Sequence, residues 1–157
     1  TYLNDAAFWE LDHSFEGFEW IDVNNNEQSM FSYIRKAKNP DDFVVVVLNF
    51  KPVAYHQYRV GVPMEGEYVE ILNSDRDYYH GSNQYNGLPL SSQEGVTHGK
   101  PYFVEMTIPP FGAVILKYQA KPLKEDVLLD EKEDVLLDEK EDVEIVLEED
   151  VININID

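Results

Sequence analysis

Acidic and aromatic side chains crowd one stretch of the chain, Phe8 to Asp22 (FWELDHSFEGFEWID). Phe8, Trp9, Phe15, Phe18 and Trp20 lie there among Glu10, Asp12, Glu16, Glu19 and Asp22, with Asp5 just upstream. Paired carboxylates such as Glu10 with Asp12, or Glu19 with Asp22, are the residue types that glycosidic bond cleavage uses, set about 5–10 Å apart across the bond. An acidic sequence offers such pairs in many places, so spacing alone assigns no catalytic residue. His13, His56, His80 and His98 stand singly, without HxH or HxxxH spacing, and no metal is expected. GxSxG does not occur, and no Gly-rich loop opens a helix. Neither an activated serine nor a cofactor is expected.

A second kind of chemistry is stacking. Tyr78 to Gly87 (YYHGSNQYNG) is a ten-residue run rich in Tyr, Asn and Gly, a composition ill suited to a core. Long loops often carry function. Tyr78, Tyr79 and Tyr85 suit a polyol-binding surface, with rings against sugar faces and Asn amides on hydroxyls; a plain long loop is the simpler alternative. Trp20 is either a core residue or an exposed stacking platform, and burial habits favour the core for a lone Trp.

The elements that position these residues are mostly strands. Gly17–Val23 and Ser29–Lys36 flank NNNEQ, an Asn-rich turn that tolerates left-handed backbone, and predict a β-hairpin. Phe18 and Trp20 share one face, Ile21 and Val23 the other, so this hairpin is expected to be covered on both sides. Phe43–Phe50 (FVVVVLNF) is β-branched and apolar throughout, which predicts a central strand buried on both faces. Tyr58–Val62 and Glu67–Leu72 alternate around MEGE and predict a second hairpin turning at Gly66. Tyr102–Ile108 alternates and stops at Pro109–Pro110; Gly112–Tyr118 follows as the last strand. Seven or eight short strands with no long internal helix predict an all-β antiparallel sandwich. Ahead of them, Leu3, Ala6, Ala7 and Phe8 predict one or two helical turns, with Asn4 or Asp5 as cap.

The 157 residues fit one domain with an appendage. The chain opens on Thr rather than Met, as a fragment or processed chain would, and shows no signal peptide. No apolar run approaches the roughly 18 residues of a membrane span, so no membrane partner is expected. Cysteine is absent, which favours a cytoplasmic location. Of the net charge of −19, −11 falls in residues 119–157 and −8 in residues 1–118. With no basic stripe on the body, nucleic acid is not an expected partner. From Lys121 the character changes: KEDVLLDE at Lys124–Glu131 recurs at Lys132–Glu139 and decays into KEDVEIVL at Lys140–Leu147. Eight residues overshoot two helical turns, so an apolar patch drifts by about 80° per repeat. Residues 120–157 therefore read as an acidic tail, disordered or marginally helical, ending in a strand-like VININID.

The ordered set WELDHSFEGFEWID, SMFSYIRKAK, VVVVLNFKPV, YRVGVP, EILNSD, YHGSN, HGK and TIPPFGAVIL resembles the C-terminal part of 1,4-α-glucan (glycogen) branching enzymes. These belong to the α-amylase superfamily, glycoside hydrolase family 13. The resemblance covers about Thr1 to Tyr118 and leaves the tail without a counterpart. It implies that residues 1–16 are the end of a catalytic (β/α)8 barrel and its junction. Residues 17–119 would then be the C-terminal all-β sandwich. The enzyme would cut an α-1,4-glucan and transfer the piece to a 6-hydroxyl. Its Asp nucleophile, Glu acid/base and second Asp would lie on barrel loops upstream, so no residue of this chain is expected to be catalytic. The implied partners are that barrel and an α-glucan, the latter touching Trp20 and, less directly, Tyr78, Tyr79 and Tyr85. The resemblance gives an exposed Trp20 equal standing with a buried one. The alternatives are a free-standing glucan-binding module and an acidic interaction protein that works through its tail.

Overall fold

A computed structural model describes residues 2–121; the acidic octads and VININID lie outside the described residues. Among the described residues there are nine strands: β1 Phe18–Asn25, β2 Met30–Lys36, β3 Phe43–Asn49, β4 Tyr55–Val62, β5 Glu67–Asn73, β6 Leu90–Ser91, β7 Gln93–Thr97, β8 Lys100–Ile108 and β9 Ala113–Gln119. They make a six-stranded sheet, order β1-β2-β3-β9-β5-β6, and a three-stranded sheet, order β4-β8-β7. Every pairing between them is antiparallel. This is the all-β sandwich that the strand pattern predicts. The helical part is four 3₁₀ turns, at Tyr2–Asn4, Ala6–Phe8, Phe15–Gly17 and Asp77–Tyr79. Asp5 caps the second by accepting from the Ala7 N–H.

The main core fills the space between the sheets. Ile34, Val45, Val47, Tyr68, Val114 and Leu116 from the larger sheet meet Val60, Val62, Val104, Met106 and Ile108 from the smaller one. β3 is the central strand that its four valines predict, because both of its faces are apolar. Val45 and Val47 enter the main core, while Val44 and Val46 form a second cluster on the outer face with Ala7, Phe8, Tyr33, Leu48, Ile71 and Ile115. The stretch before β1 thus lies on the outside of the six-stranded sheet and closes part of it.

Three expectations are corrected. Tyr58–Val62 and Glu67–Leu72 are not a hairpin: β4 pairs with β8 in one sheet and β5 with β9 and β6 in the other. The link between them crosses from sheet to sheet. Gly66 is needed there for closeness rather than for turning, since a Cβ would meet Gln119 O and Tyr118 Cε2 at 2.6 Å. The crossing is stapled by Ser92 Oγ, which accepts from the Gly66 N–H at 2.9 Å, and by the Tyr68 hydroxyl donating to Met64 O at 2.8 Å. Second, β6 and β7 occupy residues that no strand was expected to use. β7 and β8 join through His98 and Gly99, whose φ values of 51° and 73° are those of a mirror-image hairpin turn. Third, the β1–β2 hairpin is covered fully on one side only. Trp20 and Ile21 point to opposite faces by ordinary alternation, Ile21 into the core, and a register shift between Trp20 and Asp22 then leaves Val23 exposed instead of on the Ile21 face.

Leu116 lies wholly buried on β9, between β3 and β5. Leu116→Ala is expected to cost about 2–5 kcal/mol in urea unfolding. Gly66→Ala is expected to lower the unfolding midpoint as well, through the crossing rather than the core.

Candidate functional site

The outer face of the six-stranded sheet carries an aromatic row. The Phe18 and Trp20 rings meet edge to face at 4.8 Å, and Tyr33 lies 5.1 Å from Phe18 and 5.9 Å from Trp20. Phe31 continues the row 6.5 Å from Trp20, and Phe50 is 5.7 Å beyond Phe31. The strand register explains the alignment: Trp20 opposes Tyr33, and Phe31 opposes Leu48. Trp20 keeps 50 % of its surface exposed and Phe50 56 %. Leu48, Phe50, Phe111, Gly112 and Ala113 then line a shallow recess of about 190 Å³. Phe111 stands at its rim, 70 % exposed, held at φ 46° in the left-handed region that a bulky residue rarely adopts.

The carboxylates of the opening stretch do structural work. Asp5 accepts from Lys117 at 2.8 Å, and Lys117 also pairs with Asp42. Burial disfavours the charge on Lys117, but its hydrogen bonds to Asp42 and Asp5 win and hold its pKa above the ordinary lysine value. Asp12 accepts from Arg35 at 2.6 Å, and the same Arg35 nitrogen donates to Phe8 O at 3.0 Å. Glu10 accepts from the Lys38 backbone N–H at 2.9 Å, which lowers its pKa below the usual carboxylate value. Glu19 pairs with both Lys36 and Lys100. A glycosidic acid needs a carboxyl pushed up, and Glu10 is pushed down. The acids are clamps that hold residues 5–19 to the sheet. Among the described residues, no three His, Asp or Glu side chains converge as a metal would require.

The Tyr-rich loop is a separate place. It follows β5, while Trp20 sits on β1, with β2, β3 and β9 between. Tyr78, Tyr79 and Tyr85 are 65 %, 54 % and 41 % exposed. The Tyr78 and Tyr79 rings lie 4.5 Å apart, tilted by 57°, and the Arg76 guanidinium lies 3.7 Å over the Tyr85 ring. The structure therefore does not unite the four sugar-contact candidates: three are together and Trp20 is elsewhere. Sequence reasoning missed Phe31, Phe50, Phe111 and Arg76. Phe50 was absorbed into the apolar run of β3, although the strand ends at Asn49 and leaves it outside. A Phe after Pro109–Pro110, beyond the end of a strand, was the available signal for Phe111.

Residues 20–119 match the family described as alpha amylase, C-terminal all-beta domain. The chain belongs to that family. The C-terminal all-beta domain occurs with closely similar sequence in the 1,4-alpha-glucan branching enzyme of Geobacillus stearothermophilus, 53 % identical over 116 residues. The branching enzymes of Bacillus subtilis (strain 168) and Bacillus cereus (strain AH820) are 49 % and 50 % identical over the same length. Each alignment covers 74 % of this chain and 18 % of the relative. The chain thus spans less than a fifth of the length of these curated relatives.

The loop of this all-beta domain is ordered by one carboxylate. Asp75 accepts from the Ser82 N–H, the Ser82 hydroxyl and the Gln84 N–H at 2.7–2.9 Å. Burial pushes the Asp75 carboxyl up, but the bonds from Gln84 and Ser82 outweigh it and leave the pKa below the ordinary 3.8. A depressed pKa means that the stabilisation is present above the unfolded value and is lost as pH falls through the folded one. Asp75→Asn is expected to speed amide exchange at Ser82 and Gln84 at neutral pH. The gap from wild type should close well below pH 3.8.

Proposed function

We propose that this chain is the C-terminal domain of a 1,4-α-glucan branching enzyme, one that forms α-1,6 branches in glycogen by transglycosylation. In this reading the domain is non-catalytic. Residues 1–16 are the junction from the catalytic barrel, residues 17–119 are the sandwich, and 120–157 are a tail. A cytoplasmic location belongs to the same proposal. The support is the activity named for the relatives, together with Asp5, Asp12 and Glu19 being paired to lysine and arginine side chains.

The observation that carries the bracing role is the open aromatic end of the outer sheet face. Phe50 and Phe111 line a mostly apolar recess, with Asn49 and Ser74 as its polar members, and exposed Phe31 adjoins it through Phe50, the chemistry of a protein contact. The opening stretch runs over the other end of this same face, near Val44 and Lys117, and leaves the recess uncovered. The barrel is the occupant we assign. The 157-residue chain alone is expected to show no branching activity, read as no shift in the iodine-stain spectrum of amylose. Activity from this chain alone would overturn the reading.

A glucan contact at Trp20 is a second role, favoured by its half-exposed ring. Asp22 lies on the same strand, but it is turned toward His98 at 3.7 Å, so the ring is the main contact offered. Trp20→Ala is expected to leave the melting temperature within a few degrees of wild type and to weaken retardation in native gels containing glycogen. Unchanged mobility of this variant removes Trp20 as a contact.

A further inference from the structure

We infer that the loop after β5 is a second, independent carbohydrate platform, built from Tyr78 and Tyr79 and buttressed by Tyr85 on Arg76. The choice of an α-glucan as its ligand rests on the function proposed above; the platform itself rests on geometry. The loop is tied down at many points. Tyr79 N–H donates to Arg76 O, His80 N–H to Asp77 O and Asn83 N–H to Asp75 O, at 2.7–2.9 Å. The Asp75 carboxylate takes three further bonds, and Asn73 Nδ2 donates to Gln84 O at 3.0 Å. At the loop's inner side, Asn86 exchanges bonds with Thr107, donating to its carbonyl at 3.0 Å and accepting from its N–H at 2.8 Å. A chain fixed this firmly commonly holds its aromatics inward. Here Tyr78 and Tyr79 face solvent instead.

Two non-glycine residues, His80 at φ 65° and Asn83 at φ 61°, sit in left-handed backbone to make this shape. Such strain is retained where surrounding bonds over-determine it, and it clusters at binding surfaces. A rigid display of Tyr loses little freedom on binding, because its ordering is complete beforehand. The tilt of 57° between Tyr78 and Tyr79 makes a folded surface rather than a flat one. Successive sugars of an α-linked chain turn relative to one another, so tilted rings suit it better than a flat strip. His80 and Asn83 are exposed in the same loop and supply donors and acceptors for hydroxyls. The platform is about 19 Å from the Trp20 strand, taking four strand spacings across the sheet.

The test uses the full 157-residue chain with glycogen as probe in native gels. Trp20→Ala should still be retarded. Adding Tyr78→Ala and Tyr79→Ala to it should weaken apparent affinity a further fivefold to tenfold. Tyr78→Phe with Tyr79→Phe should keep most of the binding, since the stacking faces survive. Equal retardation of the triple variant and of Trp20→Ala overturns the platform, as does a Trp20→Ala chain that glycogen no longer slows. The non-catalytic reading of the chain is tested separately, in the iodine assay, and a wild-type chain that glycogen does not slow removes the glucan ligand itself.

Discussion

A strand that is apolar on both faces needs two covers, and β3 imposes that need on the whole domain. Val45 and Val47 are satisfied by the three-stranded sheet. Val44 and Val46 face the other way and would sit in water if the sandwich were the entire structure. Burying a valine side chain contributes on the order of 1.5–3 kcal/mol, so the second face cannot be left open along its length. The opening stretch supplies the cover, with Ala7 wholly buried against Val44 and Val46. The aromatic–acidic segment is therefore a lid on the outer face, and the sandwich is two layers with a partial third.

That cover has almost no regular structure of its own, and its 3₁₀ turns are too short to stand alone. It is held by charge at one end and by rings at the other. Lys117, Arg35 and Lys38 reach outward from β9, β2 and the turn after β2 to Asp5, Asp12 and Glu10. Exposed ion pairs are worth little singly, yet these three converge on one short segment and fix its path over the sheet. Asp12, Glu10 and Asp5 are explained by the cations they face, which lie 23, 28 and 112 residues away in the chain.

The strands were legible where one physical signal dominated. Four valines in a row admit only a central strand, and Pro109–Pro110 admits no continuation of β8. The link from β4 to β5 was not legible, because alternation states that two strands exist but not which sheet each joins. The deciding facts were distant: Tyr118 and Gln119 pressing on Gly66, and Ser92 bonding its backbone. β7 was not legible because Gln93, Glu94 and Thr97 are polar edge residues whose pairing to β8 owes nothing to hydrophobic pattern, and β6 is only Leu90–Ser91 on the edge of β5. The candidate site was half legible. The Tyr-rich loop and Trp20 were visible as residue types, but the register shift after Trp20, which parts Val23 from the Ile21 face, depends on strand pairing that no local pattern reports.

Trp20 stands where the covered and uncovered parts of the outer face meet. On one side its ring leans on Phe18 and Tyr33, and Tyr33 packs against the Val44–Val46 cluster beneath the lid. On the other side it adjoins Phe31, from which Phe50 leads away toward the recess under Phe111. A half-exposed ring in that position is neither a core residue nor a free-standing platform. It is the seam between surface that the chain closes for itself and surface that it leaves exposed. The same seam explains why both the core reading that burial habits favour and the exposed reading that the resemblance raises describe part of it: each is one edge of the same indole.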